Sequence, residues 1–521
     1  MLVFLSKCYI FSIMRKLGPH VILLLILFVQ AVFAGEDSTS VALSHIDKIS
    51  IVINEPHRYN VNDVESLLDL RGEPDPDALI PANFERILDY FEERAYPFAR
   101  IEIDSMVLGR KDSLIAFISI DPGPVTRIDR IRIEGNKTTR DNVILREIRI
   151  KPGDKYTQSS IDKIPARLLK LGFFKGVEAP GLLVNEKGET ELIIRLSEGS
   201  MNDVDGVIGY NPGTNDRKGY FTGLIDVSLA NFLGTGRQIE TYWEKKDQET
   251  QQLRFRYLEP WIFNVPFHAG ASFEQLIQDT SYIQRNWMFD MSLPISDNLT
   301  LFADVGNEKV TPDSLGSILF NIPKSSSWLL NMGLRYDTRT NLINPDRGIF
   351  YSTTFEFGRK KTDASGYIDN TNNASFNRRR ITLDVALLVP FLKWQVFSVE
   401  MHGRQVSAEE GKIDISDMYR FGGSKSLRGF REDEFSGSQI AWTNIEYRYL
   451  LSPLSRAFIF LDSGYYSRKQ LSNEKKEEYK FGYGFGIRLD TRLGIIGVDY
   501  GLAKGRSLTN GLVHVRLVNK F

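Results

Sequence analysis

Cysteine is all but missing from this chain, whose 521 residues include a single one, Cys8. Histidine is sparse as well: six scattered residues show no metal-ligand spacing and no nucleophile motif accompanies them. No metal, no cofactor and no catalytic residue is therefore assigned, and the chain does not read as an enzyme. Glu259 and Asp337 read as strand-end or turn carboxylates rather than acid/base groups. With 65 basic against 66 acidic residues, the chain lacks the basic excess of a general nucleic-acid binder, so no nucleic-acid partner is expected. Past residue 34 it also lacks an apolar run long enough for a membrane-spanning helix.

The one strongly apolar run, His20 to Val29, follows Arg15 and Lys16 and leads into Ala31-Val32-Phe33-Ala34. A basic start, a short apolar core and small residues at the last and third-last positions make residues 1–34 a secretory signal peptide, with Met14 as the expected start. Cleavage after Ala34 removes Cys8, leaving no thiol for a disulfide or a lipid anchor.

Residues 46–124 read as strand, helix, helix, strand, strand: Ile46 to Ile53, Val61 to Leu70, Pro81 to Arg94, Ile101 to Leu108 and Leu114 to Ile120. Phe84, Ile87, Leu88 and Phe91 recur at helical spacing and predict a buried stripe. The same order returns in residues 125–199, with Thr139 and Ser159 as candidate helix caps and Leu192 to Leu196 as the closing strand. A period of roughly 75 residues fits two tandem copies of one small βααββ domain; a single larger mixed domain is the alternative. Ile131-Arg132-Ile133-Glu134-Gly135-Asn136, Lys151-Pro152-Gly153-Asp154 and Leu169-Lys170-Leu171-Gly172-Phe173-Phe174 resemble the polypeptide-transport-associated (POTRA) repeat. The resemblance implies a periplasmic module that binds unfolded client strands or partner proteins. Its physical basis is a small sheet whose open edge adds an extended peptide by backbone hydrogen bonding.

From residue 204 to 521 the pattern changes to segments of roughly ten residues with period-two alternation, as in Leu253-Arg254-Phe255-Arg256-Tyr257. About sixteen such segments alternate between tight links (230–236, 390–394, 451–456, 491–494) and long ones (309–326, 359–377, 406–438, 467–478), as an outer-membrane barrel requires. The predicted fold class is two α+β repeats followed by an all-β, 16-stranded antiparallel transmembrane barrel. Phe521, closing an alternating segment, fits an interfacial aromatic on the last strand.

Within the longest link stands Leu427-Arg428-Gly429-Phe430, preceded by Gly422-Gly423. The glycines permit tight turns, and Arg428 can form a bidentate bond with a carboxylate such as Asp462. Folded into the barrel, the loop would be pinned by that pair. Asn231-Phe232-Leu233-Gly234-Thr235-Gly236, Leu258-Glu259-Pro260-Trp261, Tyr336-Asp337-Thr338-Arg339, the Leu427–Phe430 motif and Phe460-Leu461-Asp462-Ser463-Gly464 resemble BamA/TamA-type assembly factors. The resemblance implies that Arg428, in the sixth outer loop, reaches the barrel wall with Asp462 as partner.

It also implies a lateral seam between the first and last strands, around Gly206, Ile208, Gly209, Val515, Val518 and Phe521. Several insertases carry a glycine where this chain has Val518, a β-branched residue that resists an inward kink. The expected function is insertion or translocation of client polypeptides in the outer membrane of a Gram-negative-type bacterium. The bilayer, unfolded clients and accessory periplasmic or lipoprotein subunits are the expected partners. The alternatives are a two-partner-secretion transporter working through the lumen and a passive pore or receptor. The short span between Ala34 and the first strand leaves no room for the plug helix of the former.

Overall fold

The computed structural model describes residues 45–54, 59, 61–69, 76–108, 113–199, 202–212, 219–320, 322–339, 344–363, 374–409, 413–469, 475–491 and 494–518. Residues 1–34, expected as a signal peptide, with Cys8 among them, and Phe521 lie outside the described residues. Two compact units divide the chain: residues 1–134, 149–165 and 178–195 form one, and residues 135–148, 166–177 and 196–521 the other.

In the first unit β1 (His45–Ile53), α1 (Val61–Glu65), α2 (Pro76–Glu92), β2 (Arg100–Leu108) and β3 (Ser113–Asp121) follow the predicted order. Their sheet runs β1-β3-β2, with β1 parallel and β2 antiparallel to β3. Alternate residues Ile49, Ile51 and Ile53 meet Ile118, Ile120, Ile87 and Phe91 in one core, which is why the helical stripe and the strand alternation coexist. Two boundaries differ from expectation. The first helix stops after Glu65, and α2 begins five residues before Pro81, which the helix carries inside it.

The second repeat comprises β4 (Arg130–Glu134), α3 (Asp141–Ile148), α4 (Gln158–Lys170), β5 (Phe174–Val177), β6 (Gly181–Val184) and β7 (Thr190–Glu198). Its edge strand is split in two, both halves pairing with β7, because the intervening residues include Pro180, which has no N–H to give to the ladder. Ser159 lies inside α4 instead of capping it; its hydroxyl donates to Glu93 at 2.8 Å, while Thr157 at the helix entrance donates to Ser160 at 2.7 Å.

The rest of the chain forms one 16-stranded sheet in which every neighbouring pair is antiparallel. Its first strands are β8 (Asn202–Asn211), β9 (Tyr220–Phe232), β10 (Arg237–Lys245), β11 (Gln251–Glu259), β12 (His268–Gln278) and β13 (Tyr282–Pro294). Next come β14 (Leu299–Pro312), β15 (Lys324–Asp337), β16 (Gly348–Asp363), β17 (Ala374–Leu392) and β18 (Gln395–Ala408), with α5 (Ser314–Phe320) in the link before β15. A small hairpin, β19 (Tyr419–Phe421) with β20 (Phe435–Gly437), interrupts the order inside the longest link. The wall then resumes with β21 (Gln439–Leu450), β22 (Arg456–Lys469), β23 (Lys475–Thr491), β24 (Gly494–Ala503) and β25 (Leu512–Val518).

One face of this wall carries the folded-in loop and its polar partners, so it is the inner face. On the other face stand exposed Phe289, Trp328, Phe357, Ile459 and Phe485. Several strands run further than the alternation implied: β14 reaches Pro312, β16 reaches Asp363 and β17 starts at Ala374. Apolar alternation stops where the outer face leaves hydrocarbon, but backbone pairing continues through the charged residues beyond it.

Candidate functional site

The link between β18 and β21 turns back onto the inner face. Gly422 and Gly423, at φ +125° and +88°, make the reversal, and the Gly423 N–H donates to the Leu427 carbonyl at 3.0 Å. Leu427 is fully buried and packs with Phe421, Phe430, Ile440, Tyr466 and Ala503.

Arg428 is brought to Asp462 as a fork. Its Nε and Nη2 donate to the two Asp462 oxygens at 2.8 and 2.7 Å, and its backbone N–H donates to the same carboxylate at 3.0 Å. Nη1 donates to Glu446 at 2.6 Å; Arg448 holds the other Glu446 oxygen at 2.7 Å and reaches Glu400 at 3.0 Å. Below the guanidinium lies the Phe460 ring, 3.6 Å away at its centroid. Arg428 is 4% exposed and Asp462 not at all, so the charges are matched in a site nearly free of bulk water.

Gly429 closes the motif, and the wall beneath it is built for a close approach. A Cβ on Gly482 of β23 would lie 2.0 Å from the Arg428 carbonyl, and one on Gly501 of β24 would lie 2.5 Å from the Gly429 nitrogen. Adjacent glycines thus form a seat into which loop backbone fits. The last strand joins in: the Gly429 N–H donates to His514 Nε2 at 3.4 Å, and Arg516 donates to the Ser424 carbonyl at 2.8 Å.

A second anchor holds the start of the same loop. Lys360, buried on β16, donates to Asp414 and Asp417 at 2.5 and 2.6 Å. Arg378 on β17 donates to Asp417 and, at 2.7 Å, to Glu308 on β14. Arg380 lies 3.3 Å from Glu356 and donates to the Asp417 carbonyl at 3.4 Å. The three wall cations outnumber the two wall carboxylates, and the loop's two aspartates bring the cluster to three cations and four carboxylates. Burial works against the Asp417 charge, yet Lys360, Arg378 and Arg380 outweigh it and hold its pKa down at about 2. At Asp414 burial wins and the pKa is raised.

The seam residues fall on the two terminal strands of the sheet. Gly206, Ile208 and Gly209 lie on β8, Val515 and Val518 on β25. Among the described residues β8 pairs with β9 alone and β25 with β24 alone. Val518 keeps its ladder position opposite Ile495.

Sequence reasoning singled out neither the Lys360–Asp417 anchor, nor Glu446 as a partner, nor the glycine seat. The available signal was charge at inward positions of alternating segments, as in Lys360, Arg378 and Arg380.

A family profile described as the Omp85 superfamily domain matches residues 231–510, more than half of the chain, and one described as a surface antigen variable number repeat (POTRA) matches residues 126–199. The outer membrane protein assembly factor BamA of Nitratidesulfovibrio vulgaris is 21% identical over 80% of this chain and 54% of that protein. This chain spans between a quarter and about half the length of the curated relatives it matches. Among solved structures, BamA from Haemophilus ducreyi lacking POTRA domains 1–3 has a TM-score of 0.53 at 15% identity, covering 90% of this chain and 98% of that one. CdiB from Escherichia coli has a TM-score of 0.54 at 12% identity, covering 94% and 92%. Both likenesses concern the fold. The repeat preceding the barrel, the 16-stranded wall and the profile that spans most of it place the chain in the Omp85 superfamily.

Proposed function

We propose that this chain is an outer-membrane polypeptide insertase or translocase. Its repeats, in the periplasm, receive unfolded clients on their edge strands, with accessory periplasmic or lipoprotein subunits as further partners. Client strands then pair at the seam between β8 and β25 and leave sideways into the bilayer. The reading assigns no bond-making step to the chain.

The observation that carries it is the uneven strength of the wall. The β16–β17 ladder has fifteen paired positions, whereas β24–β25 has seven among the described residues. A weakly held terminal strand is the place where a barrel opens at least cost. Once open, its unpaired N–H and C=O groups are expensive in hydrocarbon and are satisfied by an incoming strand. Gly206 and Gly209 further weaken the β8 side.

Passage through the lumen, the second reading, is disfavoured by the two buried ion-pair anchors, both of which must break before the loop leaves. A passive pore has no use for the repeats.

The test reconstitutes the purified chain into liposomes and follows folding of a urea-denatured client barrel by its heat-modifiable migration. Faster folding than in empty liposomes supports the proposal. Solute leakage with no gain in client folding contradicts it.

A further inference from the structure

The outer face of the wall is not uniform. Register carries one row of outward side chains across β12 to β16: Gln275, Arg285, Lys309, Ser326 and Lys361. The row beneath reads Phe273, Trp287, Asn307, Trp328 and Arg359, and the next Phe289, Val305, Leu330, Phe357 and Arg379. Across β13 to β15 three successive rows therefore pass from charged and polar, through tryptophan, to apolar, while Arg359 and Arg379 carry cations down into the lower two rows. That sequence marks the boundary where headgroups meet acyl chains. The rows sit beside the links 313–323 and 364–373, at the end of the wall with the long connections.

Five cations stand along this stretch: Arg285, Lys309, Arg359, Lys361 and Arg379. All are exposed, and among the described residues none of them forms an ion pair. Arg285 donates to Gln275 at 2.8 Å and Arg359 to Ser375 at 3.1 Å. The carboxylate facing Arg359 and Arg379 is Glu409, already engaged by the backbone N–H and side-chain amide of Asn377 at 3.0 and 2.8 Å.

Over β15, β16 and β17 of the cationic sector lies an open cleft of about 420 Å³, whose lining includes Trp328, Leu330, Phe357, Arg359, Asn377 and Arg379. Its β17 side is amide and guanidinium, from Asn377 and Arg379, and its β15 side is aromatic and aliphatic, from Trp328 and Leu330, with Arg359 and Phe357 between them on β16.

We propose that this cleft binds an anionic lipid of the outer leaflet through its phosphate-bearing headgroup. Arg359 and Arg379 take the phosphate, Lys361 adds charge from the row above, and an acyl chain runs along Phe357 and Leu330. Guanidinium groups match phosphate oxygens in pairs, and clustered cations at an interface favour anionic lipids. The inference rests on the barrel spanning a membrane. A lipid held there would stiffen β16 and β17, the strands whose inner faces carry Lys360, Arg378 and Arg380 against the loop.

The test uses the full chain in nanodiscs and the emission of its tryptophans. Brominated phosphatidic acid and brominated phosphatidylcholine are titrated as quenchers, with inorganic phosphate as competitor. Phosphatidic acid is expected to quench at lower mole fraction than phosphatidylcholine, and inorganic phosphate not to displace it. Each interfacial cation is worth about fivefold in affinity, so R359Q/K361Q/R379Q weakens phosphatidic acid association about a hundredfold. The R359K/R379K variant, which keeps the charges, retains most of it. Equal quenching by both lipids in the wild-type chain, unchanged selectivity in the glutamine variant, or full competition by inorganic phosphate overturns the lipid site. Absence of quenching by either lipid shows that the chain does not enter the bilayer, and the membrane reading then falls together with the inference.

Discussion

Replacing Arg428 by alanine is expected to undock the loop without unfolding the wall. The substitution removes two guanidinium bonds to Asp462 and one to Glu446, all between 2.6 and 2.8 Å. Glu446 keeps Arg448 as a partner. Asp462, which has no exposed surface, keeps the backbone N–H of residue 428 but loses its counter-charge. Leaving a buried carboxylate uncompensated costs about 3–5 kcal/mol, a shift of between about a hundredfold and a few thousandfold in the docked-to-undocked ratio. Amide hydrogen exchange over residues 419–435 reads that ratio directly, with the amides of β21 and β22 as internal controls. The double variant Arg428→Met with Asp462→Leu removes both charges and is expected to cost less than Arg428→Ala alone, because no orphan ion remains. Exchange in the loop unchanged by Arg428→Ala, or a double variant worse than the single one, would show that the Arg428–Asp462 pair does not hold the loop.

Other perturbations test the remaining contacts. Gly482→Ala places a methyl 2.0 Å from the Arg428 carbonyl, so the loop must lift; overpacking of this kind costs about 1–3 kcal/mol, read as faster proteolysis of the loop at unchanged wall stability. Asp417 has a folded-state pKa of about 2 against an ordinary 3.8. Its contribution, about 2 kcal/mol, is therefore complete above pH ~4 and is lost as pH falls toward ~2, so exchange across residues 413–421 should rise in that window. Asp417→Asn should abolish that dependence. Arg516→Gln removes the bond to the Ser424 carbonyl and is expected to speed exchange of the β25 amides by about tenfold, the worth of one charge-assisted bond.

How much of this was written in the sequence differs from part to part. Strand number, repeat topology and the Arg428–Asp462 pair were readable because each depends on a local pattern: alternation, a helical stripe, or a tripeptide followed by a lone carboxylate in an apolar run. The Lys360–Asp417 anchor was not, since it gathers side chains from β14, β16, β17 and the loop, whose heights on the wall depend on the register of each ladder. The same holds for the glycine seat. Gly482 and Gly501 look like ordinary strand glycines until the loop backbone is laid against them. Strand ends were misjudged at β14, β16 and β17, because hydropathy reports the bilayer boundary and not the end of hydrogen bonding.

The seam is the central claim, and locking it is the most direct test. Ile208 and Val515 are 68% and 71% exposed. Ile208→Cys and Val515→Cys, on a Cys8→Ser background, would join β8 to β25 under oxidation, with the partner position on β25 stepped by two residues to find the register. Client folding in liposomes is then measured before and after reduction. The oxidised protein is expected to stop accelerating client folding, and reduction to restore it. Undiminished client folding with the strands covalently joined would contradict it.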